Sequence, residues 1–183
     1  MSNPATTLPT AYCWLSAQPL LPRMVREGLA LLGTREAPGT ADNAAILGWA
    51  AELGGAVARD YRADSVPWCG LFMAIVAARA GKPLPQSPLW ALSWAQFGRP
   101  APAPMLGDVL VFRRQQGGHV GLYLAEDEAA YHVVGGNQGD CVSIARVARH
   151  RLLDARRPAY AAMPPSVRAF HVDAMGSLST NEA

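Results

Sequence analysis

The stretch PWCGLFMAIVAARAG, residues 67–81, carries the signals of a central helix. Proline suits the first turn of a helix because its missing N–H has no intrahelical partner to lose, and Gly81 suits the position just after a helix. The residues between them are apolar on nearly every side, which is typical of a helix buried within a domain. We therefore expect a buried helix over residues 67–80, with Cys69 at its start.

Two further helices and a leader are predicted before this segment. The apolar spacing from Pro22 onward fits a helix that Gly33 ends. Thr40 is the predicted N-cap of a helix over residues 41–53. Residues 1–21 are expected to form a leader that packs on the body.

The predicted helices are followed by predicted strands, and the sequence pattern changes from one to the other at Gly107. Four segments with the composition of strands are separated by short turns. They are residues 109–112, 120–125, 131–134 and 141–147. Helices followed by strands predict an α+β domain over residues 22–160, in which N-terminal helices pack on a C-terminal antiparallel sheet. Residues 161–183 are predicted to be a C-terminal tail that is partly flexible.

Composition argues against several classes of protein: nucleic-acid-binding, membrane-spanning and zinc-binding proteins. The 183 residues suit one compact domain, and a net charge of +2 with no run of Lys or Arg argues against nucleic-acid binding. The chain has no stretch of about 18 apolar residues, so we expect no membrane-spanning helix. Three cysteines cannot all pair within the chain, and the lack of CxxC and HExxH patterns argues against a zinc site. We expect no metal and no cofactor.

Cys69 is the first candidate for chemistry. At the start of a helix, backbone N–H groups without intrahelical partners and the helix dipole stabilise an anion. Such a setting lowers the pKa of a thiol from about 8.5, which favours a reactive thiolate. The alternative is a small hydrophobic core residue, because free cysteines are often buried and inert.

His119 and Asn137 strengthen the catalytic interpretation. His119 follows two glycines at the start of a predicted strand, and Asn137 follows the next strand. In an antiparallel hairpin the start of one strand lies opposite the end of the next, so the two side chains are expected to be neighbours. The Asn137 oxygen would accept from one imidazole nitrogen and leave the other facing the Cys69 thiol. Taken alone, Asn137 is a turn residue.

Four short motifs run in order along most of the chain. They are PWCGLF at 67–72, GDVLVF at 107–112, GHVGLY at 118–123 and GGNQ at 135–138. This order resembles the NlpC/P60 and CHAP superfamily of cysteine peptidases and amidases, in its bacterial and phage branch, over roughly residues 22–160. The resemblance implies a papain-like fold, catalysis by Cys69, His119 and Asn137, and hydrolysis of a peptidoglycan amide bond within the stem peptide or between sugar and peptide. Many NlpC/P60 members have a third histidine where Asn137 stands, which makes CHAP the closer label.

Three more residues are predicted to contact substrate. Trp68 precedes the nucleophile, Trp94 lies with Trp90 in a predicted short helix, and Gln138 follows Asn137. Each has a structural alternative, because large aromatic side chains are more often core residues and a glutamine beside two glycines equally suits a turn.

Delivery and partners follow from the resemblance. Residues 1–10 lack the basic start and apolar core of a secretory signal. A wall hydrolase of this kind without a signal is made in the cytoplasm and reaches the wall as a phage lysin or as an injected antibacterial effector. An effector implies an inhibitor protein in the producing cell, and we expect a monomer whose partner is peptidoglycan. Two alternatives are an acyltransferase on the same residues and a non-catalytic module that binds the cell wall.

Overall fold

The computed structural model describes residues 8–115, 117–173 and 176–179, which form an α+β structure with an antiparallel sheet. The α-helices are α1 (Arg23–Leu29), α2 (Ala44–Leu53), α3 (Gly55–Asp60) and α4 (Cys69–Arg79). The strands are β1 (Arg99–Pro100), β2 (Val109–Arg113), β3 (Gly118–Glu126), β4 (Ala130–Gly135), β5 (Ser143–Ala148) and β6 (Leu152–Arg157). Short 3₁₀ helices span Thr10–Ala17, Ala91–Gln96 and Arg149–Arg151.

The sheet has the strand order β1-β6-β2-β3-β4-β5, and each neighbouring pair is antiparallel. The β2–β3 hairpin sets Phe112 opposite His119, and the β3–β4 hairpin sets Leu122 opposite Val134. This register brings the start of β3 and the end of β4 to the same end of the sheet, as predicted from the sequence.

Helix α4 lies between α2 and the sheet, and α1 contacts both α4 and the sheet. Nine of its eleven residues are buried, and it packs on α1, α2, β3 and β4. Gly81 follows the helix with a φ of 69°, a left-handed conformation that suits glycine. Burial of each large apolar side chain contributes about 1.5–3 kcal/mol, so the helix that begins at Cys69 is anchored in the core. Among the helices of the described residues, none is long and apolar enough to cross a membrane.

Both ends of the described chain pack on the sheet. In the leader, Tyr12 and Leu15 are buried, and the Tyr12 hydroxyl lies 2.7 Å from Nδ1 of His132 on β4. In the tail, the N–H of Glu126 donates to the carbonyl of Phe170 at 2.8 Å. Contacts with the body therefore continue on both sides of the predicted domain.

The first two helices differ in detail from the prediction. Helix α1 ends at Leu29, and turns lead from there to Gly33. Thr40 is not the N-cap of α2. Asn43 occupies that position, and its side chain accepts from the N–H of Ala45 at 2.7 Å, which is the contact that an N-cap residue makes.

A third helix replaces part of the predicted connector. Gly54 and Gly55 have φ values of 66° and 55°, and these left-handed conformations turn the chain from α2 directly into α3. The fourth predicted strand also begins later, because Cys141 makes only an isolated bridge to Arg35 before β5 starts at Ser143.

Strand β6 was not predicted from the sequence, because its LLDARR segment lacks apolar alternation. It pairs with β1 and β2 through the backbone, and an ion pair adds to this: Arg157 donates to the carboxylate of Asp108 from Nε at 2.9 Å and from Nη2 at 2.7 Å. Asp108 is fully buried in the turn before β2. A bidentate pair of this kind is directional, and it ties β6 to β2.

Candidate active site

Cys69 is the first residue of α4 and is 4% exposed. Burial raises the pKa of its thiol above the ordinary value of 9.0, and the N–H groups of Val120 and Gly70, the charge of Arg114 and the N–H of Cys69 itself lower it by less. The lowered pKa predicted from the helix start is therefore wrong. The helix start does supply N–H groups. However, burial removes the sulfur from water, and this destabilises the thiolate more than the N–H groups stabilise it.

The N–H of Val120 connects Cys69 with β3. This nitrogen faces the sulfur and lies two covalent bonds from the Cα of His119, so the sulfur and that Cα are within roughly 7 Å of each other. The structure therefore brings the predicted nucleophile and the predicted base, from α4 and β3, into one site.

The imidazole of His119 is held by Gln138. His119 is fully buried and stacks on Phe112, and its Nε2 lies 3.0 Å from Oε1 of Gln138. The amide nitrogen of Gln138 donates to the carbonyl of Ser143 at 2.6 Å, so Oε1 is the atom that faces the ring. An amide oxygen only accepts, so Nε2 carries the proton and Nδ1 is the basic nitrogen.

Asn137 is not the partner of the imidazole, which corrects the sequence prediction. Its φ of 58° turns the backbone out of β4, and its side chain points to the start of α4. The surroundings orient its amide so that the nitrogen donates to Oε1 of Glu36 at 3.0 Å and the oxygen accepts from the N–H of Trp68 at 3.3 Å. The role predicted for Asn137 is taken by Gln138, which was predicted to bind substrate.

The two glycines before Asn137 permit close packing at the site. A Cβ on Gly136 would lie 2.5 Å from Cβ of Phe72 on α4. A Cβ on Gly135 would lie 2.8 Å from Oε1 of Gln138 and 3.2 Å from Nε2 of His119. Larger residues would push this loop away from both the helix and the imidazole.

Glu36 belongs to the site and was missed by the sequence analysis. Its Oε1 accepts from Nε1 of Trp68 at 2.6 Å as well as from Asn137. Burial raises the pKa of Glu36, and the hydrogen bond from Trp68 opposes that shift. The carboxylate joins the loop after β4 to the residue that precedes Cys69. No local pattern marks Glu36, because its partners are distant along the chain.

The tryptophans predicted to bind substrate lie in the core. Trp68 and Trp94 are fully buried, and Nε1 of Trp94 donates to the carbonyl of Pro88 at 2.9 Å. This burial is at odds with direct substrate contact, because neither indole has surface exposed to a ligand. Both side chains instead hold the chain around the site. Trp90, in the same segment as Trp94, is 62% exposed.

Of the other two cysteines, Cys141 lies in the turn next to Gln138, whose backbone N–H donates to the Cys141 carbonyl at 2.9 Å. Cys13 is exposed, Cys141 is buried, and all three cysteines are free thiols. Over the described ranges there is no group of three or more His, Cys, Asp or Glu side chains that could hold a metal ion.

Neither a protein-family model nor a curated protein matches the chain.

Proposed function

We propose that this chain is a cysteine-dependent amidohydrolase of the NlpC/P60 and CHAP superfamily, with a papain-like fold, that cuts an amide bond in peptidoglycan. The four ordered motifs support the family, and helices packed on an antiparallel sheet are compatible with the fold. The chemistry is supported by the surroundings of Cys69, His119 and Gln138.

One observation carries the proposal: the buried cysteine at the start of α4 faces the strand that begins with a buried, oriented histidine. The Val120 N–H faces the sulfur of Cys69, and Gln138 holds the adjacent imidazole of His119 by Nε2 at 3.0 Å. An inert core cysteine needs no such neighbour, and the hydrogen bond with Gln138 both offsets the cost of burying the imidazole and fixes the orientation of the ring.

The proposed reaction begins with attack of the Cys69 sulfur on the amide carbonyl carbon. Nδ1 of His119 takes the thiol proton as the sulfur–carbon bond forms, which suits a thiol that burial keeps neutral. The imidazolium gives that proton to the leaving amine, and the carbon–nitrogen bond breaks. Water then attacks the thioester while Nδ1 takes one of its protons. The acid leaves, and the proton returns to the sulfur.

The backbone at the start of α4 is suited to the charge that develops during attack. The oxyanion of the tetrahedral intermediate needs N–H donors already aimed at it, and each such donor is worth about 10²–10³-fold in kcat. We propose the N–H of Cys69 as one donor. The contact of Asn137 with the N–H of Trp68 holds the preceding peptide and so orients this helix start.

Digestion of purified peptidoglycan, with mass analysis of the released fragments, tests the proposal. Hydrolysis adds one water across one amide and frees one amine, and the fragment masses show whether the cut lies within the stem peptide or at the sugar. An acyltransferase would instead give fragments that carry an added acceptor. Binding to the wall without any new fragment would point to a non-catalytic module and would overturn the proposal.

We further propose that the protein reaches the wall from the cytoplasm as a lysin or as an injected effector. If it is an effector, a protein from the producing cell binds over the Cys69 site and inhibits it. Co-purification with the product of a neighbouring gene, and loss of wall hydrolysis in that complex, are the expected results for an effector.

A further inference from the structure

We propose that a cavity beside Trp90 binds an N-acetylated sugar ring of the glycan strand, next to the amide that is cut. This inference rests on the proposed function and deepens it. It predicts that the bond cleaved is the one that joins the sugar's lactyl group to the first residue of the stem peptide.

The cavity has the size and character of a small-ligand site. It has a volume of about 400 Å³, and its walls include Val57, Tyr61, Pro67, Leu89 and Trp90. Binding sites for small molecules are typically about 300–1,000 Å³ and mainly apolar, with a few polar groups that orient the ligand.

The cavity lies close to the start of α4, although Cys69 itself is not one of its lining residues. Pro67, in its wall, is two residues from Cys69, which places their Cα atoms at most about 7.6 Å apart. Leu89, also in the wall, lies against the next residue of α4, since a Cβ on Gly70 would come within 2.3 Å of the Leu89 carbonyl oxygen. A ligand in the cavity therefore lies beside the start of α4.

The segment that carries Trp90 also reaches the residue before His119. A Cβ on Gly118 would lie 2.5 Å from Cδ2 of Leu92. Residues 88–92 therefore run from one side of the site, at Cys69, to the other side, at His119.

The backbone of Trp90 is held in place, and its indole is exposed. Its N–H donates to the carbonyl of Ser87 at 3.0 Å, and its carbonyl accepts from Oγ of Ser93 at 2.7 Å. The indole of the buried Trp94 donates to Pro88 in the same turn. Because the backbone of this turn is already ordered, no loop has to be ordered when a ligand packs on the indole.

The chemistry of the walls favours a neutral sugar over the stem peptide. An exposed indole offers a flat, electron-rich face, against which the C–H groups of a sugar ring pack. Asp60, Gln86 and Ser87 also line the cavity and are exposed, and their side chains suit hydroxyl and acetamide groups. In the described part of the chain, no Lys, Arg or His lines this cavity, whereas the stem peptide carries several carboxylates that need a cation.

Titration calorimetry of the whole chain with chitotetraose, an oligomer of N-acetylglucosamine, tests the sugar site. Because this probe has no stem peptide, binding does not depend on the proposed hydrolysis. We expect saturable binding to the wild type, a loss of affinity of tenfold or more in Trp90→Ala, and a smaller loss in Trp90→Phe. Leu153→Ala, which shortens an exposed apolar side chain on β6, is the control and should bind like the wild type.

Three results would overturn the sugar site. They are no saturable binding of chitotetraose, equal affinity in wild type and Trp90→Ala, and displacement of the sugar by a free stem tetrapeptide. Saturable binding that needs Trp90, in a protein that cuts no amide, would keep the sugar site and reject the proposed function. Amide hydrolysis by a protein that does not bind chitotetraose would keep the proposed function and reject the sugar site.

Discussion

Nε2 of His119 lies 3.0 Å from Oε1 of Gln138, and the amide of Gln138 is itself held by the carbonyl of Ser143. This contact sets the tautomer of the imidazole, because an amide oxygen can only accept. Nδ1 is then the basic nitrogen, the one that takes the thiol proton in the proposed reaction. Gln138, not Asn137, is the third residue of the candidate site.

The first prediction compares substitutions around the imidazole. His119→Ala should lower kcat by about 10²–10⁴-fold, which is the usual worth of a general base. Gln138→Ala should lower it by less, because the base remains but its tautomer and orientation are no longer set. Gln138→Glu keeps an acceptor for Nε2–H and should recover part of the rate, with the activity profile shifted to higher pH because a carboxylate stabilises the imidazolium.

Asn137→Ala is the matched control for Gln138→Ala. It removes contacts with Trp68 and Glu36 but leaves the imidazole contact intact, so we expect it to lower stability without shifting the pH profile. A larger loss of kcat in Asn137→Ala than in Gln138→Ala, with both variants folded, would contradict the roles assigned here.

The positions of His119 and Asn137 show what the sequence can predict. Alternation and turn residues locate β3 and β4, and antiparallel pairing then places the two loops at one end of the sheet. Which of two adjacent side chains faces the imidazole depends on the path of the turn after β4, in which Asn137 has a φ of 58°. Hydrophobic periodicity carries no information about that angle.

Glu36 and β6 show why the rest could not be predicted. The partner of Glu36 is Trp68, in a different element, and no spacing rule links two residues so far apart. In β6 the charged residues hide the strand pattern, and their partners are distant in sequence: Arg157 pairs with Asp108, and Arg156 donates to the carbonyl of Phe97. Likewise, the balance between burial and N–H groups at Cys69 depends on packing that only the folded structure reveals.

The second prediction concerns Glu36. Glu36→Ala removes the acceptor of the buried Trp68 Nε1, and an unsatisfied buried donor costs about 1–3 kcal/mol. We expect that loss in the free energy of unfolding in urea, together with lower activity. Glu36→Gln keeps an oxygen acceptor and should cost less. Glu52→Ala removes an exposed ion pair with Arg79 and should change stability by about 1 kcal/mol or less. Equal stability of Glu36→Ala and wild type would contradict this account.

The third prediction is the pH dependence of thiol labelling. Burial raises the pKa of Cys69 above 9.0, so at neutral pH this thiol is protonated and reacts slowly. With iodoacetamide and peptide mapping, the native protein should label Cys69 more slowly than the exposed Cys13, and the Cys69 rate should keep rising above pH 9.0.

The raised pKa of Cys69 also makes the stability of the fold depend on pH. Because the folded state favours the neutral thiol, Cys69 contributes stability that is present below its unfolded pKa and is lost as pH rises through the folded pKa. Faster labelling of Cys69 than of Cys13 at about pH 6.5, roughly two units below the free-thiol pKa, would show that the N–H groups and Arg114 outweigh burial.

The fourth prediction concerns Asp127, which joins the leader to the sheet through His132. Its Oδ2 accepts from Nε of Arg146 at 2.8 Å and lies 2.8 Å from Nε2 of His132. The bond from Arg146 first, and then that from His132, hold the pKa of Asp127 well below its ordinary value, although burial opposes them. The resulting stability is present above the unfolded pKa of about 3.9 and is lost as pH falls below it.

Asp127→Asn should therefore lower the free energy of unfolding at neutral pH by about 3–5 kcal/mol, the usual cost of leaving one buried charge unpaired. The difference from wild type should shrink as the pH falls below about 4, because the carboxyl of the unfolded wild-type chain takes up a proton there while the folded one keeps its charge to lower pH. Asp154→Asn, at a carboxylate that is 35% exposed, is the control and should have little effect. A difference that stays constant from neutral to acid pH would contradict this prediction.

Release of amide-cleavage fragments from purified peptidoglycan by single-cysteine variants tests the central claim most directly. Cys69→Ala and Cys69→Ser should release no fragment above background while keeping the circular dichroism and unfolding transition of the wild type. Cys13→Ser and Cys141→Ser, which alter the two other thiols, should retain most of the activity. Full activity in a folded Cys69→Ala variant would contradict the account, because the proposed acyl transfer has no other nucleophile.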